Sequence, residues 1–313
     1  MIKCSAPGKV ILFGEHAVVY GEPAISIAVD KRISCEIDEG DEVTTVNGYE
    51  IDREHQGYIM KAIEKVGYGG PLKIKTSSGI PSGAGMGSSA AVTVASLGSL
   101  NELYGDIEHK KIAKTAFEIE YEVQGSASPI DTSTSTHGSG IMVSKQKGDD
   151  FLWKISQNDK KWNIHHMDIP DIPIVVGDTR VHAPTGPLVE KVRRFYDKSN
   201  FAKQIIGEIG QLVLDGMSAL KDEDLDKVGS LMNKNHQLLS ILGVNHPKLD
   251  ALVQTSQRHS YGAKLTGAGG GGSMVALTEE PEVVAELIRK RGGEPYILNS
   301  TEVGLRVEDT SSI

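Results

Sequence analysis

Residues 81–91 read Pro81-Ser82-Gly83-Ala84-Gly85-Met86-Gly87-Ser88-Ser89-Ala90-Ala91, the stretch of this chain with the clearest chemistry. Three glycines alternate with other residues, so the loop's backbone N–H groups stay uncovered by side chains. A helix-forming run follows over residues 90–97, and it points its positive end at whatever those amides hold. Such a geometry binds phosphate. No Lys-Ser or Lys-Thr pair follows the last glycine, which excludes a Walker-type loop. Ser88 stands where a dinucleotide fingerprint needs its third glycine. Ser88 and Ser89 have two readings: they cap the helix, or a hydroxyl reaches a phosphate-bound Mg2+.

Other chemistry-bearing residues are scattered. In Ala6-Pro7-Gly8-Lys9-Val10-Ile11-Leu12-Phe13-Gly14-Glu15-His16, Lys9 lies where a turn enters a strand, and Glu15 and His16 follow the glycine that ends it. Such a cluster could grip a carboxylate or hydroxyl of a substrate. Glu120 lies at the edge of a helical stripe formed by Ile112, Ala116, Ile119 and Val123. Asp131 sits in a Ser-, Thr- and Gly-rich stretch, residues 125–140. There an aspartate makes local turn hydrogen bonds, or serves as a general base if a substrate hydroxyl comes within reach. In Lys264-Leu265-Thr266-Gly267-Ala268-Gly269-Gly270-Gly271-Gly272-Ser273, three glycines satisfy Gly-x-Gly-x-x-Gly. A strand-like segment follows instead of a helix, so close backbone approach explains these glycines better than a dinucleotide fold. The ten histidines show no HExxH pattern, and the adjacent His165 and His166 read as solvated.

The elements that must position these residues alternate irregularly. Strand patterns cover residues 2–5, 10–13, 24–29, 33–37 and 72–76, and helical spacing covers 53–66, 89–104 and 107–124. A strand at 141–144 and a hairpin within 145–168 follow. A strong strand at 172–177 opens a second unit, with helices at 187–196, 202–220, 225–242 and 247–261. The end reads strand 263–266, strand 273–277, helix 281–291 and strand 294–298. This predicts two α+β domains, 1–168 and 169–313. Length of 313 residues, 39% hydrophobic and 24% charged content suit a globular protein. The net charge of -9 argues against a nucleic-acid partner. Two cysteines without metal spacing, no bilayer-length apolar run and no signal layout predict a cytoplasmic protein that uses no membrane.

Taken together, these segments resemble the superfamily of galactokinase, homoserine kinase, mevalonate kinase and phosphomevalonate kinase. Three motifs of that superfamily occur in order: the Lys9 segment, the 81–91 loop and the run after Lys264. The first, Pro7-Gly8-Lys9-Val10-Ile11-Leu12-Phe13-Gly14-Glu15-His16-Ala17-Val18-Val19-Tyr20-Gly21, is similar to that of the mevalonate kinases. Galactokinases usually carry Arg at the position of Lys9, and homoserine kinases lack Gly-Glu-His. The resemblance implies an N-terminal domain like the second domain of ribosomal protein S5 and a ferredoxin-like C-terminal domain. ATP would lie between them with its phosphates on Pro81, Ser82, Gly83, Ala84, Gly85, Met86, Gly87, Ser88 and Ser89. By position, Ser89 and Glu120 match the Mg2+ ligands, Asp131 the catalytic aspartate, and Lys9 the lysine that lowers the pKa of the reacting hydroxyl. Glu15, His16 and Thr185 match positions that contact mevalonate, and Gly267, Ala268, Gly269 and Gly270 lie near the site. The implied reaction phosphorylates the C5 hydroxyl of mevalonate, and a homodimer is common in the family. Two departures stand out. Ser128-Pro129-Ile130-Asp131 replaces the frequent Ser-Gly-Val-Asp and stiffens the backbone there, and Thr185 is followed by Gly186-Pro187 instead of a basic residue.

Overall fold

The structure is a computed structural model that describes all residues except 82, 126, 172, 182–184 and 310–313. The first half contains β1 (Ile2–Phe13), β2 (Ala24–Glu39), β3 (Thr45–Val46), β4 (Tyr49–Glu50), α1 (Arg53–Val66), β5 (Leu72–Ser78), α2 (Ser88–Glu102) and α3 (His109–Gln124). Then come α4 (Ile130–His137), β6 (Gly140–Ser144), β7 (Phe151–Gln157), β8 (Lys160–Met167) and β9 (Ile174–Asp178). The remainder contains α5 (Thr185–Lys198), α6 (Asn200–Lys221), α7 (Leu225–Ile241), α8 (Pro247–Ser256), β10 (Gly262–Thr266), β11 (Ser273–Leu277), α9 (Pro281–Lys290), β12 (Glu294–Leu298) and β13 (Arg306–Val307).

Two sheets organise the molecule, in a mixed α+β fold as the sequence predicts. The first is nine-stranded and is built around β2. One edge of β2 pairs antiparallel with β1, from Ile2↔Ile37 to Phe13↔Ile25. Its other edge is divided: residues 24–27 pair with β6, and residues 33–39 pair with β5. The sequence pattern suggested four short strands here, and the chain makes two long ones. The interruption at Pro7 and Gly8 is absorbed as a register shift, an irregularity that bends a strand without ending it. The second sheet, β10-β11-β9-β12, is antiparallel throughout, with α8 and α9 packed on it.

Helix α2 lies on β1 and β2 under α1, α3 and α4. From Ser88 to Leu100 its residues are small or apolar all round, the pattern of an enclosed helix. A Cβ on Gly98 would sit 2.6 Å from a methyl of Leu305 and 3.2 Å from the Cys4 Cβ, so a larger residue would force these neighbours to shift. Helix α4 forms where a Ser/Thr/Gly-rich loop was expected. Its threonines bond backward, Thr134 Oγ1 to Ile130 O and Thr136 Oγ1 to Thr132 O, each at 2.7 Å, and burial fixes the rest. Of the two histidines of β8 read as solvated, His165 is buried, and its Nε2 accepts from Gly148 N at 2.9 Å, while His166 stays part-exposed. His166 shares a hydrogen bond with His137 at 2.9 Å and another with Asp168 at 3.0 Å. Cys4 and Cys35 are cross-strand partners, buried as free thiols. After β12 the chain returns to the first sheet, where Ser300 bridges Val29 and β13 pairs with β1. No helix of the described residues is long and apolar enough to cross a membrane.

Candidate active site

The glycine loop, the second half of β1, α3, α4 and the run after β10 converge on one cavity of about 390 Å³, so Lys9 lies well inside a strand and not where a turn enters it. Gly83, Gly85 and Gly87 line it with left-handed φ of 76°, 66° and 72°. Between them Ala84 and Met86 are buried and anchor the loop inward. Met86 O accepts from Lys9 N at 3.0 Å, and Ala84 O accepts from Ser273 Oγ at 2.8 Å. The left-handed φ of Gly87 favours glycine there, and a Cβ would also crowd the flexible Lys9 stem at 2.8 Å.

The capping reading of the serines fails. Gly87 is the N-cap of α2 and makes no side-chain cap bond, while Ser88 and Ser89 are already inside the helix. Among the described residues no side chain caps the first-turn amides of α2, which lie at the cavity with the positive end of the helix behind them, an arrangement suited to phosphate. Left-handed glycine at the N-cap leaves room for a ligand that a capping side chain would fill.

Lys9 and Asp131 meet across this floor with Nζ 3.0 Å from Oδ2. Lys9 is almost wholly buried in β1, and Asp131 stands part-exposed in the first turn of α4. Pro129 takes the N-cap position and so starts the helix that presents Asp131. Glu120, on α3, is buried and accepts from Ser89 Oγ at 3.3 Å and from Gln124 Nε2 at 3.2 Å. Burial pushes its carboxyl up to about 8, and the charge of Asp131 adds to that; Lys9 and the two hydrogen bonds oppose it. A carboxylate this buried beside a second one calls for a cation. The serine hydroxyl and the carboxylate are hard oxygen donors of the kind Mg2+ takes, leaving its other positions to water and phosphate oxygens.

At the other end, Glu15 and His16 line the cavity in the turn after β1. Glu15 is buried and held by Lys264 and by Asn235 Nδ2, the latter at 3.1 Å. His16 has φ 60°, and its Nε2 lies 3.0 Å from Ala268 O. Burial lowers its pKa, against the hydrogen bond to Ala268. Thr185, the first residue of α5, reaches the mouth with Gly267 and Ala268. Gly269 and Gly270 are not among the lining residues. Gly270 N donates to Val244 O at 2.7 Å, and a Cβ on Gly269 would sit 2.1 Å from that oxygen. Pro81, Ala84 and Met86 do not line the cavity either, and Ser82 lies outside the described residues. Sequence reasoning missed Gln124, Ser128 and Val189. Gln124 had a signal, since it follows Glu120 by one helical turn.

A cavity lined by an uncapped glycine loop, a Lys–Asp pair and a buried carboxylate fits a small-molecule kinase, and the chain belongs to the GHMP kinases. Residues 57–139 match the description GHMP kinases N terminal domain, and residues 217–297 match GHMP kinases C terminal. The mevalonate kinase of Thermococcus onnurineus is 36% identical over 98% of each chain. The crystal structure of Methanococcus jannaschii mevalonate kinase superposes with a TM-score of 0.78 at 30% identity, covering 95% of this chain and 98% of that one. The L. major mevalonate kinase in complex with R-mevalonate has a TM-score of 0.79 at 26% identity, covering 96% of each. Within the GHMP kinases the chain belongs to the mevalonate kinases, which are ATP-dependent enzymes.

Proposed function

We propose that this cavity transfers the γ-phosphoryl group of ATP to the C5 hydroxyl of mevalonate, giving 5-phosphomevalonate and ADP. The observation that carries the reading is the Lys9–Asp131 pair, 3.0 Å apart, opposite the uncapped amides of the glycine loop. Phosphoryl transfer is mostly positioning and charge stabilisation, and each part of that has a residue here. The amides of Gly83 to Gly87 and the first turn of α2 hold the β- and γ-phosphates. Ser89 and Glu120 would hold Mg2+, which would supply charge neutralisation at those phosphates. Asp131 accepts the proton of the C5 hydroxyl as its oxygen bonds to the γ phosphorus and the bond to ADP breaks. The Lys9 ammonium, already beside Asp131, stabilises the negative charge that develops on that oxygen. His16 and Thr185, with Glu15 behind them, form the wall of the acceptor end. A cytoplasmic homodimer accompanies this reading through the family resemblance, and light scattering tests the dimer.

The reading is tested by measuring ADP release with ATP, Mg2+ and either mevalonate or 5-phosphomevalonate. Turnover with mevalonate is expected. Turnover with 5-phosphomevalonate alone would assign the chain to a neighbouring reaction, and ATP binding without turnover on either would make it a sensor.

A further inference from the structure

Lys264 opens the glycine-rich run in the second half of the chain, and the proposed transfer gives it no part. It is fully buried on β10. Its ammonium donates to one carboxylate oxygen of Glu15 and to Leu265 O, the latter at 2.5 Å. The second Glu15 oxygen accepts from Asn235 Nδ2 on α7 at 3.1 Å. Asn235 is itself fully buried, and among the described residues its Oδ1 has no hydrogen-bond partner. Burying an ion pair and an orphaned amide oxygen serves packing poorly, because apolar side chains of similar size do as well or better. What the group accomplishes is geometric. It ties three elements, the turn after β1, β10 and α7, at the wall of the cavity.

The turn it grips is tightly specified. Gly14 has φ 94°, and a Cβ there would lie 2.6 Å from Ala24 and from Pro23 O. His16 holds a left-handed φ of 60°, uncommon outside glycine, with its ring against Ala268 O. A few residues back, Thr266 Oγ1 accepts from Ile11 N and donates to Ile11 O, both at 3.1 Å, so β1 and β10 are joined at a second point. Both carboxylate oxygens of Glu15 are taken from behind. We infer that Lys264, together with Asn235, is a positioning residue: it fixes Glu15 and so sets the Gly14–Glu15–His16 turn as the wall against which the acceptor lies. The identity of that acceptor rests on the mevalonate reading.

The test uses the full-length enzyme and two variants, Lys264→Met and the double variant Glu15→Gln/Lys264→Met. The first strands a buried carboxylate and can fail to fold; the second removes that charge and keeps a side chain that Asn235 can bond. Acceptor KM and ATP affinity are measured, with hydrogen exchange of residues 14–20. Both variants should bind ATP as the parent does. Acceptor KM should rise about tenfold or more, the scale of one lost charged hydrogen bond, and exchange at 14–20 should quicken. The double variant should recover thermal stability without recovering KM. Parent-like KM and exchange in the double variant would overturn the inference, as would parallel losses of ATP affinity and KM. A parent enzyme that ignores mevalonate refutes the substrate instead, and the exchange measurement still decides the clamp.

Discussion

Asp131 and Glu120 are two carboxylates in one cavity with different surroundings, and the difference assigns their work. Asp131 is part-exposed, lines the cavity and pairs with Lys9, the placement the proposed base requires. Asp131→Asn keeps the shape and loses the base. It should bind ATP normally and lose roughly 10²–10⁴-fold in kcat, measured by ADP release. Near-parental turnover would remove Asp131 as the base. Glu120 is enclosed, and burial followed by the charge of Asp131 lifts it to about 8. A carboxyl lifted above its ordinary 4.5 leaves the folded state holding more protons than the unfolded one. Stability of the metal-free protein should therefore be highest below pH 4.5 from this group, fall as pH rises toward about 8, and level off beyond. Thermal midpoints of Glu120→Gln, compared with the parent across that window, should lack this fall. Equal slopes in the two proteins would show that Glu120 does not hold the proton.

The elements differ in how much of them the sequence disclosed, for physical reasons. The glycine loop was legible because its demand is local: left-handed φ and uncovered amides at positions 83, 85 and 87 need glycine and nothing distant. Helix α1 was legible because it is amphipathic and capped by Asp52, whose side chain accepts from His55 N. Helix α4 was not, since Ser and Thr are weak helix formers and only enclosure by α2, α3 and the first sheet makes Ile130–His137 helical. The role of Gly87 as N-cap was hidden behind the better capping residues beside it. Pairings between remote elements left no trace either. Glu15 and Lys264 are 249 residues apart, and neither residue's neighbours announce the other. The chemistry of single segments could be read, while their convergence depended on the packing of α3, α4 and β10 around one cavity.

At the scale of the whole molecule, residues 299–309 bear on α4, the helix that carries Asp131. Residues 299–309 run back over the first sheet after β12 has completed the second. Arg32 donates to Val303 O at 2.8 Å and to Gly304 O at 2.6 Å, and Leu305 is buried against Gly98 of α2. The same segment meets the C-terminal end of α4. Leu305 N donates to Thr136 O at 2.9 Å, Ser139 N donates to Thr301 O at 2.7 Å, and a Cβ on Gly138 would lie 2.3 Å from Glu302 O. Asp131 lies in the first turn of the helix whose far end this segment meets, so the tail supports the proposed base without lining the cavity. A chain ended at Leu298 keeps every cavity residue and loses that support. Exposing the space under Leu305 alone costs about 2–3 kcal/mol, and the freed carbonyl and amide partners add to it. Its urea midpoint should drop accordingly, and at low urea, where it is still folded, kcat should fall while ATP affinity holds. An unchanged midpoint with unchanged kcat would show that α4 stands without the tail.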